Sequence, residues 1–421
     1  MKKPLILLLA LCLLLGCLPA RADTARDVGA ECALAYQDNS LACGYLVDHN
    51  YVRGDNLASK VEHIFYVTPG KTPVAQIEVF FGTHMLPYRV ERQDGAGWAT
   101  VARVTEARAQ SYVRLEPIAE KFRIVFSDGQ RSPLTLKEIL LFSEGETEGT
   151  ALKPWRDPCE KADVMTLVAH PDDELLWFGG LLPTYAGERQ LRVQAVYMTC
   201  ENALRRQELL NGLWHCGVRN YPLLCGLKDV RYSAVDAAYQ CWGRETAYKT
   251  IVRAIRRFQP DVLVTHDILG EYGHTQHIVT SDAAYQAVLL AADPGYDPDS
   301  AQQYGAWQVK KLYRHLGDAP TTRMDWQQPL AAFGGQTGLE IAAQAFKMHA
   351  SQQDILWPSR PAQASNTTAR YSRWCTQPLA RTRPETICWS TSRRNNAGMR
   401  DQGYDSFLEP KKESKKAARW T

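Results

Sequence analysis

An apolar run, Val164-Met165-Thr166-Leu167-Val168-Ala169, breaks off into His170-Pro171-Asp172-Asp173-Glu174, and a second, Asp261-Val262-Leu263-Val264-Thr265, breaks off into His266-Asp267. Continuous short apolar runs of this kind read as strands buried on both faces, the condition of a parallel sheet covered by helices. The pattern around them agrees. Residues 192–198 predict another strand, and residues 203–214, 244–258, 278–292 and 338–349 predict helices, with a helix-like segment also beginning at Leu175. Strands alternating with helices imply right-handed βαβ units and an α/β, Rossmann-like parallel sheet. In such sheets ligands bind at the carboxyl ends of the strands, where both polar clusters fall.

The clusters carry the chemistry. His170 and Asp173 are three apart, so a tight turn opening a helix can aim an imidazole nitrogen and a carboxylate oxygen at one cation, and Pro171 suits a helix start. The loop after the second run, Glu271-Tyr272-Gly273-His274-Thr275-Gln276-His277, offers two histidines at the same spacing. Two ligands from one loop and a third from the other make a two-histidine, one-carboxylate set that suits zinc and leaves a position open. Asp172 then lies beside the metal but off it, free to take a proton from an activated water, which points to hydrolysis.

At these residues the chain resembles the LmbE/PIG-L-like family of metal-dependent N-acetylglucosaminyl deacetylases, over roughly residues 160–355. The resemblance implies that His170, Asp173 and His277 hold the metal, that Asp172 is the base and that His274 assists the tetrahedral intermediate. Arg205 and Glu208 match an Arg-x-x-Glu and Ser351-Gln352 a Ser-Gln of that family. Arg205 and Tyr272 are candidate substrate contacts, and Glu174 and Gln276 candidates for the layer behind the metal. Arg205 has a plainer reading as a helix-surface partner of Glu208. The chain departs from the family pattern at Gln276, where Asp is common and pairs with the first histidine of the loop. An amide cannot hold His274 charged, so hydrogen bonding to an oxyanion is the expected role there, unless Asp267 or Glu271 restores the charge.

With 421 residues, 45% of them hydrophobic, the chain exceeds one typical core. Residues 23–150 show short alternating runs at 77–80, 88–91, 122–126 and 134–142, with turns at Asp94-Gly95 and Asp128-Gly129, the pattern of an all-β sandwich. The succession Trp98, Tyr112-Val113-Arg114-Leu115, Phe122-Arg123-Ile124, Lys137-Glu138-Ile139 resembles a discoidin-like, galactose-binding-like jelly roll, a candidate carbohydrate-binding module. Residues 145–158, aperiodic and rich in Gly, Pro and charge, mark the boundary with the deacetylase domain at 158–355. Residues 226–243 read as a loop at the cleft rim.

Residues 1–22 read as a signal peptide. Lys2-Lys3 precede apolar Leu5 to Leu15, and Leu14-Leu15-Gly16-Cys17 resembles a lipobox, implying a lipidated Cys17 and a membrane partner on the periplasmic side of a bacterial envelope. A cut after Ala20-Arg21-Ala22 would instead release a soluble protein. Losing Lys2 and Lys3 takes the formal charge from +3 to +1, which selects no class of partner. Export argues against nucleic acid and, with 11 cysteines and no C-x-x-C, predicts disulfides such as Cys32/Cys43, Cys216/Cys225 and Cys375/Cys388. Residues 356–421 form an Arg/Trp-rich extension and a basic tail; between 357 and 400, eight arginines face one acidic residue, Glu385. That composition suits either a solvated extension or a subsite for an anionic glycan. The expected activity is removal of acetyl from an N-acetylated amino sugar of an extracytoplasmic glycan, with Zn2+ as cofactor. The alternatives are a glycan-binding protein with an idle site and an amidase acting on a non-sugar amide.

Overall fold

A computed structural model describes residues 23–37, 41–200, 202–315, 322–353 and 373–377. The leader, with Cys17, and most of the Arg/Trp-rich extension therefore lie outside the described residues. No described helix is long and apolar enough to cross a membrane.

Ten antiparallel strands come first: β1 (Ala33–Tyr36), β2 (Leu41–Ala42), β3 (Asp55–Lys60), β4 (His63–Thr68), β5 (Val74–Phe81), β6 (Tyr88–Asp94), β7 (Gly97–Val104), β8 (Gln110–Ile118), β9 (Phe122–Phe126) and β10 (Ser132–Phe142). They form a six-stranded sheet, β2-β1-β4-β9-β6-β7, and a four-stranded sheet, β3-β10-β5-β8. Alternation explains their packing, since successive side chains of a strand point to opposite faces. Phe65, Phe122 and Phe126 from the larger sheet meet Ile77, Phe81 and Leu141 from the smaller in one core. The Phe81 and Phe126 rings stand edge to face with centroids 5.8 Å apart.

The outer face of the four-stranded sheet is also covered. Phe80, Leu140 and Phe142 pack there under Ala25 and Leu152. This traps two carboxylates, Glu78 and Glu138, which are fully buried and raised in pKa chiefly by that burial.

Next come β11 (Val164–Val168), α1 (Asp173–Leu176), β12 (Val193–Thr199), α2 (Ala203–His215), β13 (Leu223–Leu227), α3 (Val235–Trp242), α4 (Arg244–Phe258), β14 (Val262–Thr265), α5 (Thr275–Leu290), α6 (Pro298–Tyr304), β15 (Lys311–His315), β16 (Thr322–Arg323), α7 (Gly338–Phe346) and β17 (Arg373–Gln377). The sheet order is β13-β12-β11-β14-β15-β17-β16, and the first five strands are parallel. The parallel α/β sheet expected from the apolar runs is thus present, with β11 at its centre.

Several details differ from the sequence reading. The helix-like segment at Leu175 stops after one turn at Leu176 and resumes as a π turn at Pro183–Glu188. The stretch read as a rim loop holds helix α3, eight residues long, whose buried face is Ala238, Tyr239 and Trp242. Arg373–Gln377, inside the Arg/Trp-rich extension, adds β17 antiparallel to β15. Cys32, Cys216 and Cys225 are free thiols, so neither Cys32/Cys43 nor Cys216/Cys225 is joined. For the latter pair the reason is placement: Cys216 ends α2 inside the core shared with Leu209 and Leu213, whereas Cys225 faces Thr250 and Ala254 of α4. The side chains of Cys375 and Cys388 lie outside the described residues.

Candidate metal centre

At the end of β11 the chain turns sharply. Asp172 takes φ 106° and ψ −26°, a conformation uncommon for a residue with a Cβ, and its carbonyl then accepts the N–H of Leu175 and Leu176 to start α1. The turn is tied from both sides. Asp173 Oδ2 accepts the His170 N–H at 2.7 Å, and Glu174 Oε2 accepts the Asp172 N–H at 3.1 Å. Trp177 Nε1 fixes the other Asp173 oxygen at 3.1 Å. Backbone strain of this kind persists where surrounding bonds over-determine it, commonly at functional sites.

His277, in the first turn of α5, comes down onto this turn. Its Nε2 is 3.2 Å from Asp173 Oδ1 and 3.2 Å from His170 Nδ1, and His170 Nδ1 is 3.1 Å from Asp173 Oδ2. A tetrahedral ion with bonds of about 2.1 Å spaces its ligands at about 3.4 Å, so the three residues converge as a cation requires. They are buried, and no donor hydrogen is needed between the two ring nitrogens if both present lone pairs to a metal. The donor set fits a divalent metal.

The tautomers follow from the partners. Gln276 Nε2 donates to Lys228 O at 2.9 Å, which turns Gln276 Oε1 toward His170 Nε2 at 2.8 Å. His170 therefore carries its proton on Nε2 and offers Nδ1. His277 Nδ1 lies 2.8 Å from Glu271 Oε2, which leaves Nε2 as its free lone pair. A carboxylate behind a ligating histidine fixes its orientation and raises its basicity. Burial alone would raise the Glu271 carboxyl, but His266, His277 and His315 outweigh it and hold the group well below the usual carboxylate range. In the same way His277, His170 and His266 overcome burial at Asp173 and keep it ionised.

Glu271, which the sequence offered only as an alternative charge partner for His274, is a hub. Its Oε2 also accepts from His266 Nδ1 at 2.7 Å, and its Oε1 takes His315 Nδ1 at 2.9 Å and the Asp267 N–H at 3.2 Å. His266 Nε2 lies 2.9 Å from the Ala169 N–H, which points its Nδ1 proton to Glu271. The readable signal was positional: His170, His266 and His315 follow or end three neighbouring strands, β11, β14 and β15. Gln276 thus serves His170 and Glu271 serves His277, so Glu271 is not the charge partner of His274, the alternative the sequence left open.

His274 caps α5 beside His170 and His277. Its ring centroid is 4.8 Å from that of His170 and 4.5 Å from that of His277. Its Nδ1 is buried and has no hydrogen-bond partner among the described residues. Burial, with His277 and His170 adding repulsion, pushes its pKa down to about 3, so the ring is neutral. Tyr272, at φ 47°, is 58% exposed and lies over the mouth, 5.6 Å from the His274 ring. Gly270 makes that loop possible: at φ +65° a Cβ would stand 2.6 Å from His274 O.

Asp172 stays outside the triangle of His170, Asp173 and His277. Its Oδ2 lies 3.3 Å from Arg205 Nη2, and that same nitrogen donates to Pro171 O at 2.5 Å. Burial and the neighbouring Asp173 raise the Asp172 pKa, with Arg205 opposing them. Arg205 Nη1 reaches Asp229 Oδ2 at 3.3 Å, a rim residue the sequence reading passed over. Arg205 does not pair with Glu208. Glu208 instead accepts the Ser351 N–H at 2.7 Å and the Ser351 hydroxyl at 2.6 Å, which brings the Arg-x-x-Glu and Ser-Gln residues together across α2. Glu174 is fully buried, and burial followed by Asp172 pushes it up to about 8, so it sits behind the turn as a neutral acid.

An α/β sheet with a His-Asp-His cluster at its strand ends and a spare aspartate beside it defines a candidate metallohydrolase centre. Residues 165–288 match the family model described as PIG-L: GlcNAc-PI de-N-acetylase. The chain is similar to 1D-myo-inositol 2-acetamido-2-deoxy-alpha-D-glucopyranoside deacetylases: 30% identical to that of Streptomyces avermitilis over 206 residues, 42% of this chain and 68% of that protein. With that of Frankia alni it shares 30% over 199 residues, 39% of this chain and 67% of that protein. A Frankia casuarinae relative is 29% identical, and the chain spans 61% of its length. Among solved structures, the N,N'-diacetylchitobiose deacetylase of Pyrococcus horikoshii aligns with 52% of this chain and 86% of its own, at 19% identity and a TM-score of 0.41. The chain belongs to the PIG-L family.

Proposed function

We propose that this protein is a metal-dependent N-deacetylase of N-acetylated amino sugars. The observation that carries the reading is the convergence of His170 Nδ1, Asp173 and His277 Nε2 at 3.1–3.2 Å with Asp172 held next to them but outside the triangle. The relatives named as deacetylases of an acetamido glucopyranoside support the acetamido sugar. Zinc is the metal the two-histidine, one-carboxylate set suits best.

A divalent ion at these residues supplies a Lewis acid and lowers the pKa of a water. Asp172, fixed by the strained turn and by Arg205, takes the proton of the attacking water. His274, neutral and with an unused ring nitrogen, donates a hydrogen bond to the oxygen that becomes negative as the carbonyl is attacked. The proton on Asp172 then passes to the nitrogen as the C–N bond breaks, releasing acetate and the free amine. Arg205, bonded to Asp172, and Tyr272, beside the His274 ring, contact the sugar. An idle site is disfavoured by Asp172, because a retired site has no use for a strained carboxylate beside its ligands.

For setting and substrate we propose a polymeric or oligomeric glycan of the bacterial envelope, reached by a protein anchored through a lipid on Cys17. The lipobox-like Leu14-Leu15-Gly16-Cys17 supports the anchor, and the antiparallel sheets ahead of the α/β sheet support a sugar-binding module. Mass spectrometry of N-acetylglucosamine and its oligomers, before and after incubation with zinc-loaded protein, should show loss of acetyl rising with oligomer length. No loss from any sugar would overturn the activity, and equal efficiency on monomer and oligomer would overturn the polymer. The intact mass of the mature protein separates a lipidated Cys17 from a free Asp23.

A further inference from the structure

Helix α2 has two working sides. Arg205 and Glu208 face the metal centre and Ser351, whereas Arg206, Gln207, Leu210 and Asn211 face the antiparallel sheets. A buried amide lies at the centre of the second side. Gln110, at the start of β8 and 1% exposed, donates one Nε2 hydrogen to Gln207 Oε1 at 3.0 Å and the other to Asn211 Oδ1 at 3.1 Å, and its Oε1 accepts Trp155 Nε1 at 2.9 Å. Gln207 then returns to the sheets, its Nε2 donating to Phe81 O and Ala109 O, both at 2.9 Å. Arg206 Nη2 donates to Gly82 O at 2.8 Å, and Leu210 packs on Ala109 and Tyr221.

These bonds fix the rotation of α2 about its axis, because Gln207 and Asn211 are one turn apart and are gripped from the same point. The rotation decides where the Arg205 guanidinium arrives. Two residues before Gln207, it reaches Pro171 O and Asp172 Oδ2, and at that end the helix is held by the Asn202 cap and by Arg206 on Gly82 O.

We infer that Gln110 is a positioning residue for the metal centre, acting through α2 on Arg205 and thence on Asp172, so that the antiparallel sheets are a working part of the enzyme and not only a tether. The inference rests on the deacetylase reading proposed above. Removing the amide leaves Gln207 Oε1, Asn211 Oδ1 and Trp155 Nε1 without their partner in a part-buried interface, and the helix relaxes to satisfy them.

The test is a double-mutant cycle on zinc-loaded full-length protein. Gln110→Met keeps the length of the side chain and removes its hydrogen bonds; it should lower kcat/KM by roughly ten- to a hundredfold, the usual effect of small misplacement, with one zinc still bound. In an Arg205→Ala background the same change should cost less than about threefold, since the residue it acts through is gone. Equal losses in both backgrounds, or no loss in the wild type, would overturn the inference. If Gln110→Met does not fold, Gln207→Met breaks the same link from the helix side and is read identically. Should wild-type protein hydrolyse no acetamido sugar, the activity reading fails by itself; amide exchange at residues 204–206, measured without substrate, then decides. Faster exchange in Gln110→Met supports the link, and unchanged exchange refutes it.

Discussion

Gln276 Oε1 accepts a hydrogen bond from His170 Nε2 across 2.8 Å, although the two residues come from different strand ends. The amide therefore does for His170 what Glu271 does for His277, but without a charge. Gln276→Leu should weaken zinc binding by roughly 10- to 100-fold, the range for loss of a partner behind a metal ligand, while Gln276→Asp should tighten it. Competition with a chelator of known affinity measures both, and unchanged affinity in the Leu variant would show that His170 needs no orienting partner.

His277→Ala should lose metal and activity together. Asp172→Asn should part them: zinc stays near one per chain while turnover falls by about two to four powers of ten, the usual worth of a positioned base. Metal analysis beside acetate release tells the two behaviours apart. Full zinc occupancy in His277→Ala would remove it from the ligand set.

Glu271 is buried and enclosed by three imidazoles, so replacing it by Ala strips a buried charge network of its centre. Breaking one partner of a buried pair costs about 3–5 kcal/mol, and Glu271→Ala should melt well below wild type even with zinc in excess. Glu271→Gln retains the shape and should lose less stability than metal affinity. A Glu271→Ala protein that melts at the wild-type temperature would contradict the role of hub.

Far from the metal, Glu78 gives stability a pH slope. Burial lifts its pKa from the ordinary value of 4.5 to about 8, with the nearby Lys153 only partly opposing. The folded protein thus prefers the protonated acid. That preference is fully present below about pH 4.5 and is lost as pH rises through 8. Each unit of displacement is worth about 1.4 kcal/mol, so thermal melts should fall across this window. Glu78→Gln keeps an acceptor for the Lys153 N–H, which Glu78 Oε2 takes at 2.8 Å, and should flatten the slope, with Glu138→Gln flattening it further because Glu138 is raised to about 7. An unaltered slope in the double variant would place the pH dependence elsewhere.

The strands of the α/β sheet were legible because Val164–Val168 and Val262–Thr265 are buried on both faces, and burial leaves an unbroken apolar run in the sequence. Helix α4 was equally plain, with Ala247, Ile251, Val252 and Ile255 marking one face. Helix α3 was not, since it is only two turns long and buries only three residues. Within the site, His170, Asp173 and His277 are brought together from motifs that sequence spacing could pair. Glu271, Asp229 and His315 were harder, because their meaning lies in which strand end adjoins which, and adjacency in a sheet is a fact of three dimensions. Gln276 shows the limit most clearly: its departure from the family pattern was visible, but the partner it serves sits in the other motif.

The bonds of Glu271 to His266, His277 and His315 also set an order of assembly. His315 closes β15, so the carboxylate gains its last donor only when a strand lying far beyond both motifs has docked on β14. Loop closure over such a separation is slow relative to local structure. The pocket can therefore be complete only late in folding, and metal captured with native geometry reports that the sheet has already closed around it.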